Sequence, residues 1–255
     1  MADDHQLQEE RLLAEVRDAF GVIRVVEVGD YRFLEFGEEA IEQSCVFTAD
    51  PCWLEYDYTR AMLLAALAHP RPESALFLGL GAGTLTQACL KFLPLEDVEC
   101  IELRPEVPRL AMEFLGLNDD PRLTLRVGDA VELLPSAERA DLIFVDLYTD
   151  SGPGAAHLAW SFLEACQRKL EPGGWLVINQ WGTDCGKPLG AALLRGLFHR
   201  HYWEIPVKEG NVILLVPAEL EQALDLAGLA ARADALAPRL GYSLQPLLEV
   251  LRPAS

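Results

Sequence analysis

The chain has 255 residues, with 21 Lys plus Arg against 40 Asp plus Glu, a formal net charge of −19. Such an excess repels phosphate backbones over long range, so without a local basic patch it argues against a nucleic-acid partner; it favours a small cationic ligand, or serves solubility alone. Hydrophobic residues make up 51% and charged residues 24%, as in globular proteins, and no apolar run reaches membrane-spanning length.

The N-terminus, Met1-Ala-Asp-Asp-His-Gln, is acidic and lacks the apolar stretch of a secretory signal, so the cytoplasm is the expected compartment. Residues 4 to 20 carry Leu12, Leu13, Val16 and Phe20 at helical spacing, with Leu7 leading in. Segments 22–28, 31–36 and 40–47, separated by Gly-Asp and Gly-Glu, predict strands joined by hairpins. The expectation is an N-terminal appendage of one helix and antiparallel strands over residues 1–52, followed by a main domain over 53–255. Cys45, Cys52, Cys89, Cys100, Cys166 and Cys185 show neither CxxC spacing nor a histidine cluster, so buried thiols are expected, with no metal and no disulfide framework.

Glu55 to Ala68 predicts a helix, closed by His69-Pro-Arg-Pro. Ala75-Leu-Phe-Leu then runs into Gly79, Gly81 and Gly83, with Ala82 between the last two, and an amphipathic pattern of Leu85, Ala88 and Phe92 follows. The pattern reads as strand, tight turn and helix; glycines permit positive φ and close approach of a ligand, and the helix start offers free N–H groups. Val98 to Glu102 predicts a second strand ending in an acid, about twenty residues past the glycines, where nucleoside-binding α/β folds place a carboxylate on ribose hydroxyls. A third strand ends in Gly128-Asp129, before Ala130, and a fourth ends in Asp146. Each of these acids either lines a crevice at the carboxyl ends of the strands or caps the next helix.

After Asp146, Leu147 to Gly154 reads as a lid loop. Helix over 156–170, a turn at 171–174, a fifth strand over 175–180, helix over 188–198, a closing hairpin over 202–216 and a helical tail divided near Pro238 and Gly241 complete the chain. Tyr148 and Trp181 fall near the same strand ends, as an aromatic wall for a cation or as rim packing; His199 and His201 read as surface residues. Alternating strands and helices with right-handed crossovers predict an α/β fold with a doubly wound, mostly parallel, seven-stranded sheet.

The segment from His69-Pro70 through Gly174 resembles the spermidine synthase (polyamine aminopropyltransferase) family, on Phe77-Leu-Gly-Leu-Gly-Ala-Gly83, Ile101-Glu-Leu103, Asp120 to Asp129, Asp141-Leu-Ile-Phe-Val-Asp146 and Leu170-Glu-Pro-Gly-Gly174. The resemblance implies a Rossmann-like methyltransferase fold with a small N-terminal β-domain, dimerisation through the N-terminal strands, and a co-substrate of the S-adenosylmethionine type, intact or decarboxylated. It further implies that Glu102 holds the ribose hydroxyls, that Asp129 and its neighbouring backbone hold the adenine, and that Asp146 activates the attacking amine of a polyamine. The chain departs from the family at Ala82, where an acid usually faces the ammonium end of the decarboxylated donor; without that acid a carboxylate, and so intact S-adenosylmethionine, fits. It departs again at Asp57-Tyr58, where Tyr58 replaces the family's acceptor-side residues only in part. The third departure is Asp150, which one extra residue displaces by up to ~3.5 Å. These departures leave open a methyltransferase on a small acceptor, or a nucleoside-binding protein without catalysis.

Overall fold

Glycines at positive φ, Gly29 at +58° and Gly37 at +77°, turn the chain back on itself twice near its N-terminus. In the computed structural model, which describes residues 9–149, 152–153 and 159–254, β1 (Arg11–Asp18), β2 (Gly21–Val28), β3 (Tyr31–Phe36) and β4 (Ile41–Phe47) form an antiparallel four-stranded sheet in chain order. The helix predicted over residues 4–20 is therefore not formed from residue 11 onward; residues 4–8 lie outside the described residues. The register of β1 on β2 shifts between Leu12 and Ala14. That bulge breaks the two-residue alternation, so the partly buried Leu13, Ala14 and Val16 mimic a helical stripe in the sequence.

The remaining elements are α1 (Asp57–Ala66), β5 (Ser74–Leu78), α2 (Thr84–Phe92), β6 (Asp97–Glu102), α3 (Glu106–Phe114), β7 (Leu123–Val127), α4 (Ala130–Leu133), β8 (Ala140–Val145), β9 (Tyr148–Thr149), β10 (Gly152–Pro153), α5 (Trp160–Arg168), β11 (Leu170–Trp181), α6 (Ala191–Leu197), β12 (Trp203–Pro206), β13 (Asn211–Pro217), α7 (Leu226–Leu240), α8 (Gln245–Val250) and β14 (Arg252–Pro253). The main sheet has eight strands in the order β14-β12-β13-β11-β8-β5-β6-β7. It thus has one strand more than predicted. The extra strand, β14, is too short to carry a periodic signal; its Arg252 approaches the buried carboxylate of Glu204 on β12 at 3.3 Å.

Strands β7, β6, β5, β8 and β11 are parallel, and β13 closes antiparallel on β11. Because side chains alternate across a strand, β5 sends Ala75 and Phe77 into a core with α1, α2, α3 and α7, and Leu76 and Leu78 into a second core with α5 and α6. Phe77 and Phe144 on β8 stack with ring centroids 4.4 Å apart. The turn expected at 171–174 is a register break inside β11 between Leu170 and Trp175. Helix α7 runs through Pro238 and ends at Gly241, whose φ is +80°. Cys45, Cys89, Cys100 and Cys166 are buried, Cys52 is half-buried, and Cys185, contrary to expectation, is exposed. No described helix is long and apolar enough to cross a membrane.

The chain leaves β5 toward β6 and β7 on one side, then returns through β8 to the other. The carboxyl ends of β5 and β8 therefore diverge into the crevice of a topological switch point, where open α/β sheets take their ligands.

Candidate active site

At that switch point lies a cavity of about 520 Å³. The loop from β5 to α2 forms its floor. Gly79 has φ +97°, and a Cβ there would stand 2.2 Å from the backbone oxygen of Asp146; only glycine lets the ends of β5 and β8 approach this closely. Gly81 and the buried Ala82 line the cavity beside Ser44 of β4, whose Oγ accepts the Ala82 N–H at 3.2 Å. Gly83, at φ +78°, is the N-cap of α2, and no side chain caps that helix.

Glu102 at the end of β6 is buried and lines the cavity. Its Oε2 accepts the Leu80 N–H at 3.0 Å and its Oε1 the Arg104 N–H at 2.9 Å. Burial pushes its pKa up, and those backbone donors work in the opposite sense. A carboxylate has lone pairs beyond these two bonds, enough to accept a pair of hydroxyls. Arg104 itself makes a buried bidentate pair with Asp18 of β1, at 2.7 and 3.0 Å, and its guanidinium lies 4.3 Å from the Phe36 ring centre. The N-terminal sheet is thereby fastened to the residue next but one after Glu102. Asp129 does both things weighed for it: its Oδ1 caps α4 by accepting the Val131 N–H at 2.8 Å, and with Ala130 it lines the cavity.

Asp146 stands across the cavity floor at the end of β8. Asn179 on β11 donates from Nδ2 to its Oδ1 at 2.8 Å. Asn211 on β13 donates to Asn179 Oδ1 at 2.9 Å, which fixes which way the Asn179 amide faces. The Tyr148 hydroxyl donates to the Asn179 carbonyl oxygen at 3.2 Å. Burial raises the Asp146 pKa to about 6, with the Asn179 bond opposing it. Such a carboxyl is ionised at neutral pH yet more basic than an exposed aspartate.

Tyr58 lines the cavity, and burial, followed by the charge of Asp146, holds its phenol pKa well above the ordinary value, so it stays protonated. Tyr148 and the exposed Trp181 sit at the rim with ring centroids 6.0 Å apart, an arrangement that suits a cation. Asp57, by contrast, pairs with Lys208 at 3.2 Å and is not a cavity residue. Asp150 and much of the expected lid lie outside the described residues. Residues absent from the sequence expectations also line the cavity: Glu42 and Ser44 of β4, Thr84 of α2, Arg104, Asn179 and Asn211. Of these, Asn179 carried a readable signal, as an amide inside the apolar run Leu176-Val-Ile-Asn-Gln180. Among the described residues, no group of three or more His, Cys, Asp or Glu is placed to hold a metal.

The glycine floor, the strand-end acids and the fold around them invite comparison with known proteins. The family described as spermine/spermidine synthase domain matches residues 57–185, just over half of the chain. The chain belongs to this family. A polyamine aminopropyltransferase of Chromobacterium violaceum is 27% identical over 245 residues, covering 92% of this chain and 91% of the relative. Among solved structures, a probable spermidine synthase from Corynebacterium glutamicum superposes with a TM-score of 0.69 at 22% identity, covering 86% of each chain. Human methyltransferase-like protein 13, in complex with SAH, gives a TM-score of 0.61 at 24% identity over 72% of this chain and 91% of that one. The spermine/spermidine synthase family and the methyltransferase-like proteins thus share the fold seen here.

Proposed function

We propose that this protein transfers an alkyl group from a sulfonium nucleoside to the nitrogen of a small cationic amine, with Asp146 as the general base. The observation that carries this reading is the Asp146 carboxyl, raised to about 6 and oriented by the Asn179–Asn211 amide relay at the edge of the glycine floor. An ammonium cannot attack carbon; it must first lose a proton to an acceptor poised beside it. The amine lone pair forms the new N–C bond, the C–S pair returns to the sulfonium sulfur and neutralises it, and the amine proton goes to Asp146. Tyr148 and Trp181 hold the acceptor cation by its charge, while Glu102 and Asp129 receive the ribose and the adenine.

The aminopropyl group is what relatives named polyamine aminopropyltransferase are named for moving, and a polyamine acceptor suits an acid-lined cavity. Methyl transfer is the second reading. It is favoured by Ala82, which puts a buried methyl on the glycine loop where a cationic donor tail would want a carboxylate. The test is turnover of putrescine with decarboxylated or intact S-adenosylmethionine, followed by mass spectrometry. Methylthioadenosine as the nucleoside product marks transfer of the propyl chain, whereas S-adenosylhomocysteine from the intact donor, or its decarboxylated form from the decarboxylated donor, marks methyl transfer. Asp146→Asn should lower the rate by roughly 10²–10⁴-fold; a variant that retains a third of parental activity would remove Asp146 from the chemistry.

A further inference from the structure

Next to Ala82 the cavity is bordered by two hydroxyl residues, Ser44 and Thr84, and by the start of α2. The register of β3 on β4 places Ser44 opposite Leu34 and Glu42 opposite Glu35, so Gln43 is an extra residue in a bulge. Bulges re-aim side chains, and here Glu42, Gln43 and Ser44 all line the cavity. The Ser44 hydroxyl lies against the glycine loop: a Cβ on Gly81 would stand 2.6 Å from its Oγ. Because that oxygen accepts the Ala82 N–H, the hydroxyl proton is left to donate elsewhere.

A second hydroxyl belongs to the first residue of α2. This residue, Thr84, lines the cavity at 8% exposure, and its buried Oγ1 has no hydrogen-bond partner in the protein. A buried hydroxyl without a partner is costly, and a ligand acceptor removes the cost. Thr84 also opens a nine-residue helix that no side chain caps, so its first-turn N–H groups and the positive end of its dipole belong to the same spot. The loop from Gly79 to Thr84 carries no acid of its own; the carboxylates facing it are Glu102, which accepts the Leu80 N–H at 3.0 Å, and Asp146 and Glu42 elsewhere in the lining.

We infer that Ser44, Thr84 and the start of α2 form a subsite for a carboxylate on the donor's tail, so that the donor is an amino-acid-bearing sulfonium nucleoside, as in intact S-adenosylmethionine. This rests on the reading of the cavity as a sulfonium-nucleoside site. The tail is zwitterionic: its carboxylate takes the two hydroxyls and the helix start, and Glu42, turned into the same cavity by the bulge, meets its ammonium.

Calorimetric titration of the full chain with methylthioadenosine, S-adenosylmethionine and decarboxylated S-adenosylmethionine tests the assignment. S-adenosylmethionine should bind at least about tenfold more tightly than its decarboxylated form, as expected when hydrogen bonds to a charged group are gained. Thr84→Val and Ser44→Ala should each erode that preference by roughly three- to tenfold while changing methylthioadenosine affinity by less than about twofold. Thr84→Ser, which keeps the hydroxyl, should retain the preference, and Ala82→Asp should reverse it. Equal or tighter binding of the decarboxylated donor, or a loss in Thr84→Val shared equally by methylthioadenosine, overturns the carboxylate subsite and leaves the nucleoside site standing. Failure of methylthioadenosine to bind the parent chain overturns both.

Discussion

Replacing Asp146 with Asn separates what this residue does for chemistry from what it costs the fold. The carboxyl has an ordinary value of 3.8 and is raised to about 6 by burial. The difference, about two pH units at 1.36 kcal/mol each, amounts to a penalty on the order of 3 kcal/mol for carrying the charge in the folded state. The sign follows from proton binding. Between 3.8 and about 6 the folded chain holds this proton more tightly than the unfolded chain, so the contribution to stability is intact below 3.8 and is lost as pH rises through 6. Asparagine never ionises and keeps an Oδ1 to accept the Asn179 Nδ2–H. Urea unfolding at a series of pH values should therefore show Asp146→Asn more stable than the parent by up to about 3 kcal/mol at pH 8, with the gap narrowing below pH 6 and closing near pH 4. In the parent, kcat/KM should rise through a limb near pH 6 as the base ionises, and that limb should be absent from the residual activity of the variant. A gap independent of pH, or a variant less stable than the parent at pH 8, would show that burial of this charge does not set its behaviour.

Gly79→Ala would drive a methyl group into the Asp146 carbonyl at a positive φ. The expected loss is about 2–4 kcal/mol in chemical unfolding, with turnover falling further because the base is displaced. Arg104→Met strands the Asp18 carboxylate, whose side chain is only 6% exposed, and should cost about 3–5 kcal/mol; adding Asp18→Asn should recover part of that loss. Trp181→Ala should raise the KM for a diamine by roughly three- to tenfold, the scale of one cation–π contact, while calorimetry with methylthioadenosine shows affinity within about twofold of the parent.

The parts of the site that could be read from sequence are those in which chemistry and local spacing coincide. Gly79 to Gly83, Glu102, Asp129 and Asp146 each end a strand or make a turn, so their positions follow from where the apolar runs stop. Ser44 reaches Ala82 across 38 residues and Asp18 reaches Arg104 across 86. Neither pair leaves a trace in local periodicity. The N-terminal strand was hidden for a different reason: its bulge gives Leu13 and Val16 the three-residue spacing of a helix. Asn211 falls at the start of the predicted closing strand, but nothing in local spacing shows that its amide orients Asn179 and through it the base. β14 has two residues and is anchored by one ion pair, which no sequence pattern announces.

The switch point divides the labour in a way that bears on how this protein can change over time. Everything proposed to grip the donor hangs on β4, β5, β6, β7 and α2, whereas everything proposed to greet the acceptor hangs on β8, β9, β11 and β13, save Tyr58 on α1. The two assemblies meet along one seam, where Asp146 N–H donates to Leu78 O at 3.0 Å and Gly79 lies against the Asp146 carbonyl. Mutation at Trp181 can therefore explore new amines without disturbing the nucleoside, and mutation at Ser44 or Ala82 can exchange one donor for another under an unchanged base. The architecture leaves each half free to diversify, provided that glycine at the seam is kept.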